Sequence, residues 1–228
     1  MRITIFLSIG LIFIALSSCN KIQQKDRIRE GYIEYEIKYL DDSLDNFMKA
    51  LLPKTMTIKF KNNNTLNKIE GFSGIVSFTH IQNFREKRNI TLVKVLNKKY
   101  KYIERIDDES LFFEKLPGMI IEEQDTLVEI CGFNSKKAKV TIPDSKVEPF
   151  YIFYTDDIII NNVNAQTPFR SIDGVLLKFQ LKLYGMAMQL TAKKIVTTEI
   201  PSTHFKIPDG YEPINRKTMA EIIELLKQ

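Results

Sequence analysis

From Gly31 to about Thr198 apolar and polar residues alternate with a period of two, which rules out a helical fold for most of the chain. Ile33, Tyr35, Ile37 and Tyr39 alternate with Glu34, Glu36 and Lys38, as Met56, Ile58 and Phe60 do with Thr57 and Lys59. Successive side chains of an extended chain point to opposite faces, so each run offers one face to a core and one to water. The same reading predicts strands at 65–70, 75–81, 89–96, 99–105, 119–128 and 135–142. Phe150 to Tyr154 is apolar at both parities, which predicts a strand covered on both faces. Val175, Leu177, Phe179, Leu181 and Leu183, then Tyr184-Gly185, then Met188, Leu190 and Ala192 predict a long hairpin. Strands that follow one another without helices predict an antiparallel meander that curls as it twists.

Two segments change period. Leu44, Phe47, Met48, Leu51 and Leu52 fall at helical spacing behind Asp42 and Ser43, either of which can cap, and Pro53 closes the run. Met219, Ile222, Ile223 and Leu226 repeat that spacing behind Thr218-Met219-Ala220-Glu221, read as a capping box. Each helix has one apolar stripe, and the concave side of a curled sheet is the surface it can cover. The expected fold is therefore mainly β, a strongly curved antiparallel sheet or half-open β-barrel with two short covering helices. Phe47, Met48 and Leu51 from the first helix, with Phe179 and Leu181 from the sheet, are the candidate contacts for an apolar ligand in the hollow.

The amino end reads as a targeting segment: Arg2, an apolar run from Ile3 to Leu16 that is short for a membrane span, and Leu16-Ser17-Ser18 leading into Cys19. A small-residue site before a cysteine resembles the lipobox of bacterial lipoproteins. That resemblance implies diacylglycerol on the Cys19 thiol, cleavage before it, and acylation (palmitate among the chains) of the new amino end. The expected organisation is a signal peptide over 1–18, a flexible tether over 19–30 and a single domain over 31–228. Asn20 is not an inner-membrane retention aspartate, so the expected location is the outer membrane, with the periplasmic side favoured over the cell surface.

A net charge of +5 with both signs mixed along the chain gives no reason to expect a nucleic-acid partner. Once Cys19 is used, Cys131 is the one cysteine left, so no internal disulfide can form; its apolar neighbours predict a buried, inert thiol. His80 and His204 lie apart with no ligand at metal spacing, and no metal or cofactor is expected. The paired carboxylates Asp41-Asp42, Asp107-Asp108, Glu122-Glu123 and Asp156-Asp157 are read as turn and surface residues. No phosphate loop, G-x-S-x-G or H-E-x-x-H occurs, so no catalytic residue is assigned and no polar cleft with converging titratable groups is expected. Asp42-Ser43-Leu44 and Asp125-Thr126-Leu127 resemble the acceptor pattern for O-glycans on exported Bacteroidetes proteins, which requires both to be exposed.

Several stretches carry a wider resemblance: Gly31-Tyr-Ile-Glu-Tyr-Glu-Ile, Met56-Thr-Ile-Lys-Phe-Lys-Asn, Ile130-Cys-Gly-Phe-Asn-Ser-Lys-Lys-Ala, Phe153-Tyr-Thr-Asp, Ile172-Asp-Gly-Val-Leu and Phe205-Lys-Ile-Pro-Asp-Gly-Tyr. They resemble a Bacteroidetes lipoprotein family with a domain of unknown function, related in style to the LolA/LolB-like lipoprotein carriers. In such relatives the middle motif usually reads Ala-Gly-Tyr-x-Cys-Lys-Lys-Ala; here Ser135 takes the usual cysteine place and the cysteine stands at 131. The resemblance implies a half-open barrel whose concave face takes up acyl chains. The expected function is a monomeric, lipid-anchored envelope protein that binds an acyl chain, a lipoprotein or another hydrophobic ligand. The alternative is a non-catalytic interaction lipoprotein that docks on an envelope partner.

Overall fold

A computed structural model describes residues 27–41, 52–71, 74–108, 110–113, 116–143, 145–183 and 186–225. Period-two alternation becomes strand wherever it was expected. The strands are β1 (Glu30–Tyr39), β2 (Thr55–Lys61), β3 (Asn64–Gly71), β4 (Val76–Asn83), β5 (Arg88–Val95), β6 (Lys98–Arg105), β7 (Ile120–Ile130), β8 (Phe133–Thr141), β9 (Phe150–Thr155), β10 (Val175–Leu183), β11 (Met186–Val196) and the short β12 (Glu212–Pro213). They form one curved sheet, not closed into a barrel, in the order β12-β6-β5-β4-β3-β2-β1-β11-β10-β9-β8-β7.

That order is two antiparallel meanders, β1 to β6 and β7 to β11, joined where β1 pairs with β11. Gly31 makes this seam possible, because a Cβ there would lie 2.2 Å from the carbonyl oxygen of Val196. Tight turns follow local chemistry: Asn62 and Asn63 take positive φ between β2 and β3, and Cys131 and Gly132 do so between β7 and β8.

The sheet's inner face carries the main core, which includes Ile33, Tyr35, Phe60, Leu177, Leu190 and the fully buried Phe169. A smaller core lies on the outer face, where Leu66, Ile81, Ile90 and Leu92 are covered by a strap containing Ile200 and Phe205. The strap holds a 3₁₀ turn over Ser202–Phe205 and is pinned at its start: Ile200 N–H donates to the Glu30 carboxylate, and the Lys61 ammonium donates to the Ile200 carbonyl at 2.9 Å. The chain then rounds the sheet edge. β12 adds parallel to β6, and helix α1 (Arg216–Leu225) returns Met219 and Ile223 to the main core. This wrap shields the backbone edge of β6.

Several expectations need correction. Helix α1 starts ahead of the expected box: Asn215 is its cap, its Oδ1 accepting the Thr218 N–H at 2.9 Å. The tether ends earlier than residue 30, since Ile28 is buried and bridges to Ile158, exchanging backbone hydrogen bonds with Asp157 and Ile159. Strand β9 is not covered on both faces. Tyr151 is 43% exposed there, with the Lys137 ammonium 3.9 Å above its ring, and Phe153 lies beneath Lys178, so long cationic stems replace a second layer. Cys131 is exposed rather than buried, because positive φ places it at a hairpin tip; its thiol donates to the Ala192 carbonyl and burial of the sulfur pushes its pKa up.

The hollow is also covered differently from what the helical stripes suggest. Besides α1, irregular stretches fill it, 106–108, 110–113 and 116–119 in one region and 156–174 in another, supplying Phe112, Ile158, Ile160, Phe169 and Ile172 to the core. The second segment staples itself through Asn164, whose amide donates to the carbonyls of Ile172 at 2.8 Å and Gly174 at 2.9 Å. The expected helix over 43–52, with Phe47, Met48 and Leu51, lies outside the described residues, as do the 1–18 segment, Cys19 and Ser43.

Candidate functional site

Strand register sets three parallel rows on the inner face, each read across from β1 to β6. One runs Tyr35, Met56, Ile69, Phe78, Val93, Tyr100; the next runs Ile33, Ile58, Asn67, His80, Thr91, Tyr102; the third runs Gly31, Phe60, Thr65, Gln82, Asn89, Glu104. Two of the three rows change from apolar to polar on crossing from β2 to β3. On the other side of the seam, β10 and β11 present Phe179, Leu181, Leu183, Met188 and Leu190 inward.

A cavity lies where these regions meet. Its volume is about 90 Å³, room for about three waters at the ~30 Å³ each takes in the liquid. Apolar side chains make most of the wall, including Tyr35, Met56, Phe78, Phe179, Leu181 and Leu190. Thr65, Asn67, His80 and Gln82 from the sheet, with Asn164 and Thr167 from the covering loop, supply its polar part. Thr167 and Phe113 also line an outer groove between the two covering loops, so these two residues stand between the cavity and that groove.

The local geometry is well defined. The Tyr35 hydroxyl donates to the Leu176 carbonyl at 2.8 Å, and burial raises its pKa, so the phenol stays protonated. Phe179 takes edge-to-face contacts from Tyr35 at 6.0 Å and Phe169 at 6.2 Å. Thr65 donates to Gln82 at 3.1 Å. The His80 Nδ1 lies 3.2 Å from the Thr91 hydroxyl, and its ring meets Phe112 at 5.9 Å. Burial lowers the His80 pKa to about 4, with Gln166 pulling weakly the other way, so the imidazole is neutral near pH 7. Among the described residues Asn67 Oδ1 is buried with no hydrogen-bond partner, and His80 Nε2 and Gln166 Oε1 are buried without a well-formed one.

The polar rows continue beyond the cavity to Glu104. Its Oε2 accepts from the Arg216 guanidinium at 3.2 Å, tying α1 to the sheet, while burial lifts its pKa.

Of the sequence-derived contacts, Phe179 and Leu181 both line this cavity. The reading missed the polar wall. Its signal was present: Leu66, Ile81, Ile90 and Leu92 form a second apolar parity in β3 to β5, which assigns the polar parity to the inner face once something covers the outer one.

A second feature corrects the expectation that no polar cleft exists. An open groove at the other end of the sheet gathers Arg27, Glu123, Lys136, Tyr154, Asp156 and Asp173. Lys136 pairs there with Asp156, and the Tyr154 hydroxyl donates to Glu123. Burial and then the Glu123 partner raise the Tyr154 pKa, which keeps the phenol protonated. Among the described residues no group of three or more His, Cys, Asp or Glu is placed to hold a metal ion. Thr126 is exposed, in a two-residue irregularity of β7 where Asp125 and Thr126 have no partner on β8. No described helix is long and apolar enough to cross a membrane.

No family model matches the chain, and no curated protein does. A solved PNGF-II structure resembles it at TM-score 0.50 and 12% identity, over 86% of this chain. The chain spans about a third of that protein, 33% of its length. At this identity the likeness is one of fold.

Proposed function

We propose that the chain is a lipid-anchored envelope protein that shelters an acyl chain or another hydrophobic ligand in the hollow of its sheet, without catalysis. The observation that supports this is the cavity itself: a mostly apolar chamber inside a curved sheet, with Phe179 and Leu181 in its wall and, among the described residues, no charged side chain lining it. Packed interiors leave few voids larger than a water, so a chamber of this size is unlike an ordinary core. The anchor reading rests on the Ile3 to Leu16 run and the small residues before Cys19. Acylation at two or more positions holds a protein durably, since each buried methylene contributes about 0.8 kcal/mol.

Protein purified from membranes in mild detergent, then extracted with solvent and analysed by mass spectrometry, should release a stoichiometric apolar compound. Leu181→Trp, which fills the chamber, should remove it. Finding no compound in either protein defeats the sheltering reading. Labelled palmitate should attach to the wild type and not to Cys19→Ser; equal labelling of both removes the anchor.

A second reading, docking on an envelope partner, is favoured by one feature. β7 is an edge strand on which Leu127 is 68% exposed, beside the exposed Val128. A photo-crosslinker at position 127 in whole cells should then trap one abundant protein, and diffuse labelling counts against it.

A further inference from the structure

Resting on the sheltering reading, we propose that the cavity selects amphiphiles whose polar end is uncharged, an alcohol or amide, over those ending in an ionised carboxylate or ammonium. Three observations carry this. The polar wall is built from hydroxyls, carboxamides and one imidazole: Thr65, Asn67, His80, Gln82, Asn164 and Thr167. Among the described residues neither an acidic nor a basic side chain lines the chamber, so an ionised head meets no counter-charge from them. An isolated buried charge is far costlier than a buried hydroxyl, which needs only a hydrogen bond.

The third observation gives the polarity of that hydrogen bond. Asn67 Oδ1 is a buried acceptor with no donor among the described residues, sitting in the row beside His80. A ligand O–H or N–H satisfies it, whereas a carboxylate, which only accepts, opposes it. The tail end is set by Phe179, Leu181, Leu183 and Leu190 across the seam. The neutral form of His80 agrees with an uncharged site, and the pairing of Thr65 with Gln82 removes one competing donor.

The probes are 1-octanol, octanoate and octane, titrated calorimetrically into the full mature chain, stripped of bound lipid, at pH 7.5. Octanol is expected to bind about tenfold or more tightly than octanoate, the worth of one well-made hydrogen bond in a dry site. Asn67→Leu is expected to lose that advantage of octanol over octane while octane binding persists, which shows that the variant is folded. Octanoate binding as tightly as octanol overturns the head-group inference and leaves the sheltering reading intact. Failure of all three probes, octane included, defeats the sheltering reading itself. Should Asn67→Leu not fold, the wild-type comparison of octanol with octanoate decides alone.

Discussion

The two halves of the sheet solve burial in opposite ways. In β10, β11, β1 and β2 the inner face is apolar and the outer face carries Lys178, Gln180, Lys182, Gln189, Thr57 and Lys59, the ordinary arrangement of a one-sided antiparallel sheet. In β3, β4 and β5 much of the inner face is polar, and the outer face holds Leu66, Ile81, Ile90 and Leu92. Only the strap over Ile200 and Phe205 makes that second arrangement tenable, because without it the apolar outer face meets water. The comparison teaches that a cavity with a polar wall needs support from behind: the polar half contributes less inner core, and the strap supplies the missing burial. The two edges differ in the same spirit, β6 being wrapped by β12 and α1 while β7 presents exposed side chains.

If that contrast is right, the largest losses should come from the two plugs that serve the two faces. Phe169→Ala removes a fully buried ring from the main core beside Phe179 and should cost about 3–5 kcal/mol in urea unfolding. Phe205→Ala in the strap should cost about 3 kcal/mol, and because the two sites lie on opposite faces, their losses should add to within ~0.5 kcal/mol. Strong non-additivity breaks the picture of two separate cores.

The polar half should also carry the pH dependence. His80 has its folded pKa lowered from 6.5 to about 4, so the stability tied to its neutral form is complete above pH 6.5 and is lost as pH falls through about 4. Denaturation midpoints measured across pH 7 to 4 should fall by the equivalent of about 2–3 kcal/mol, less in His80→Gln. A wild-type slope that His80→Gln leaves unchanged places the titration elsewhere. Glu104 has the opposite sign. Its folded pKa is raised, so its contribution is complete below the pKa of the unfolded chain and is lost as pH rises through the folded value. Glu104→Gln should therefore be neutral or stabilising, by about 1 kcal/mol at pH 7, because the half-exposed Arg216 keeps access to water. A clear destabilisation by this variant shows instead that the Arg216 pair holds α1 in place.

Much of the sheet was legible beforehand, and the reasons are local. Ile33, Tyr35 and Ile37 in β1, or Leu177 to Leu183 in β10, announce strands because side-chain direction alternates in any extended chain, whatever lies across from it. The carboxy-terminal helix announced itself by spacing, but its start did not: Thr218 looked like a cap, and Asn215 won because its side chain reaches the Thr218 N–H. Cys131 was misread because apolar neighbours suggest burial, whereas a hairpin tip is set by the φ of two residues. The segment 156–174 gave no periodic signal, although it fills the hollow.

What the sequence determined alone is therefore the strands β1 to β11, their approximate lengths and the two parities within each; the short β12 had no signal of its own. Which parity faces inward in β3 to β5 was undecided there, since both carry apolar residues. Tertiary structure decided it: strand curvature made a hollow, a strap far along the chain covered the outer parity, and Thr65, Asn67, His80 and Gln82 were left facing the cavity. Alternation is a property of one strand, but inside and outside are properties of what packs against it, and those partners lie more than a hundred residues away.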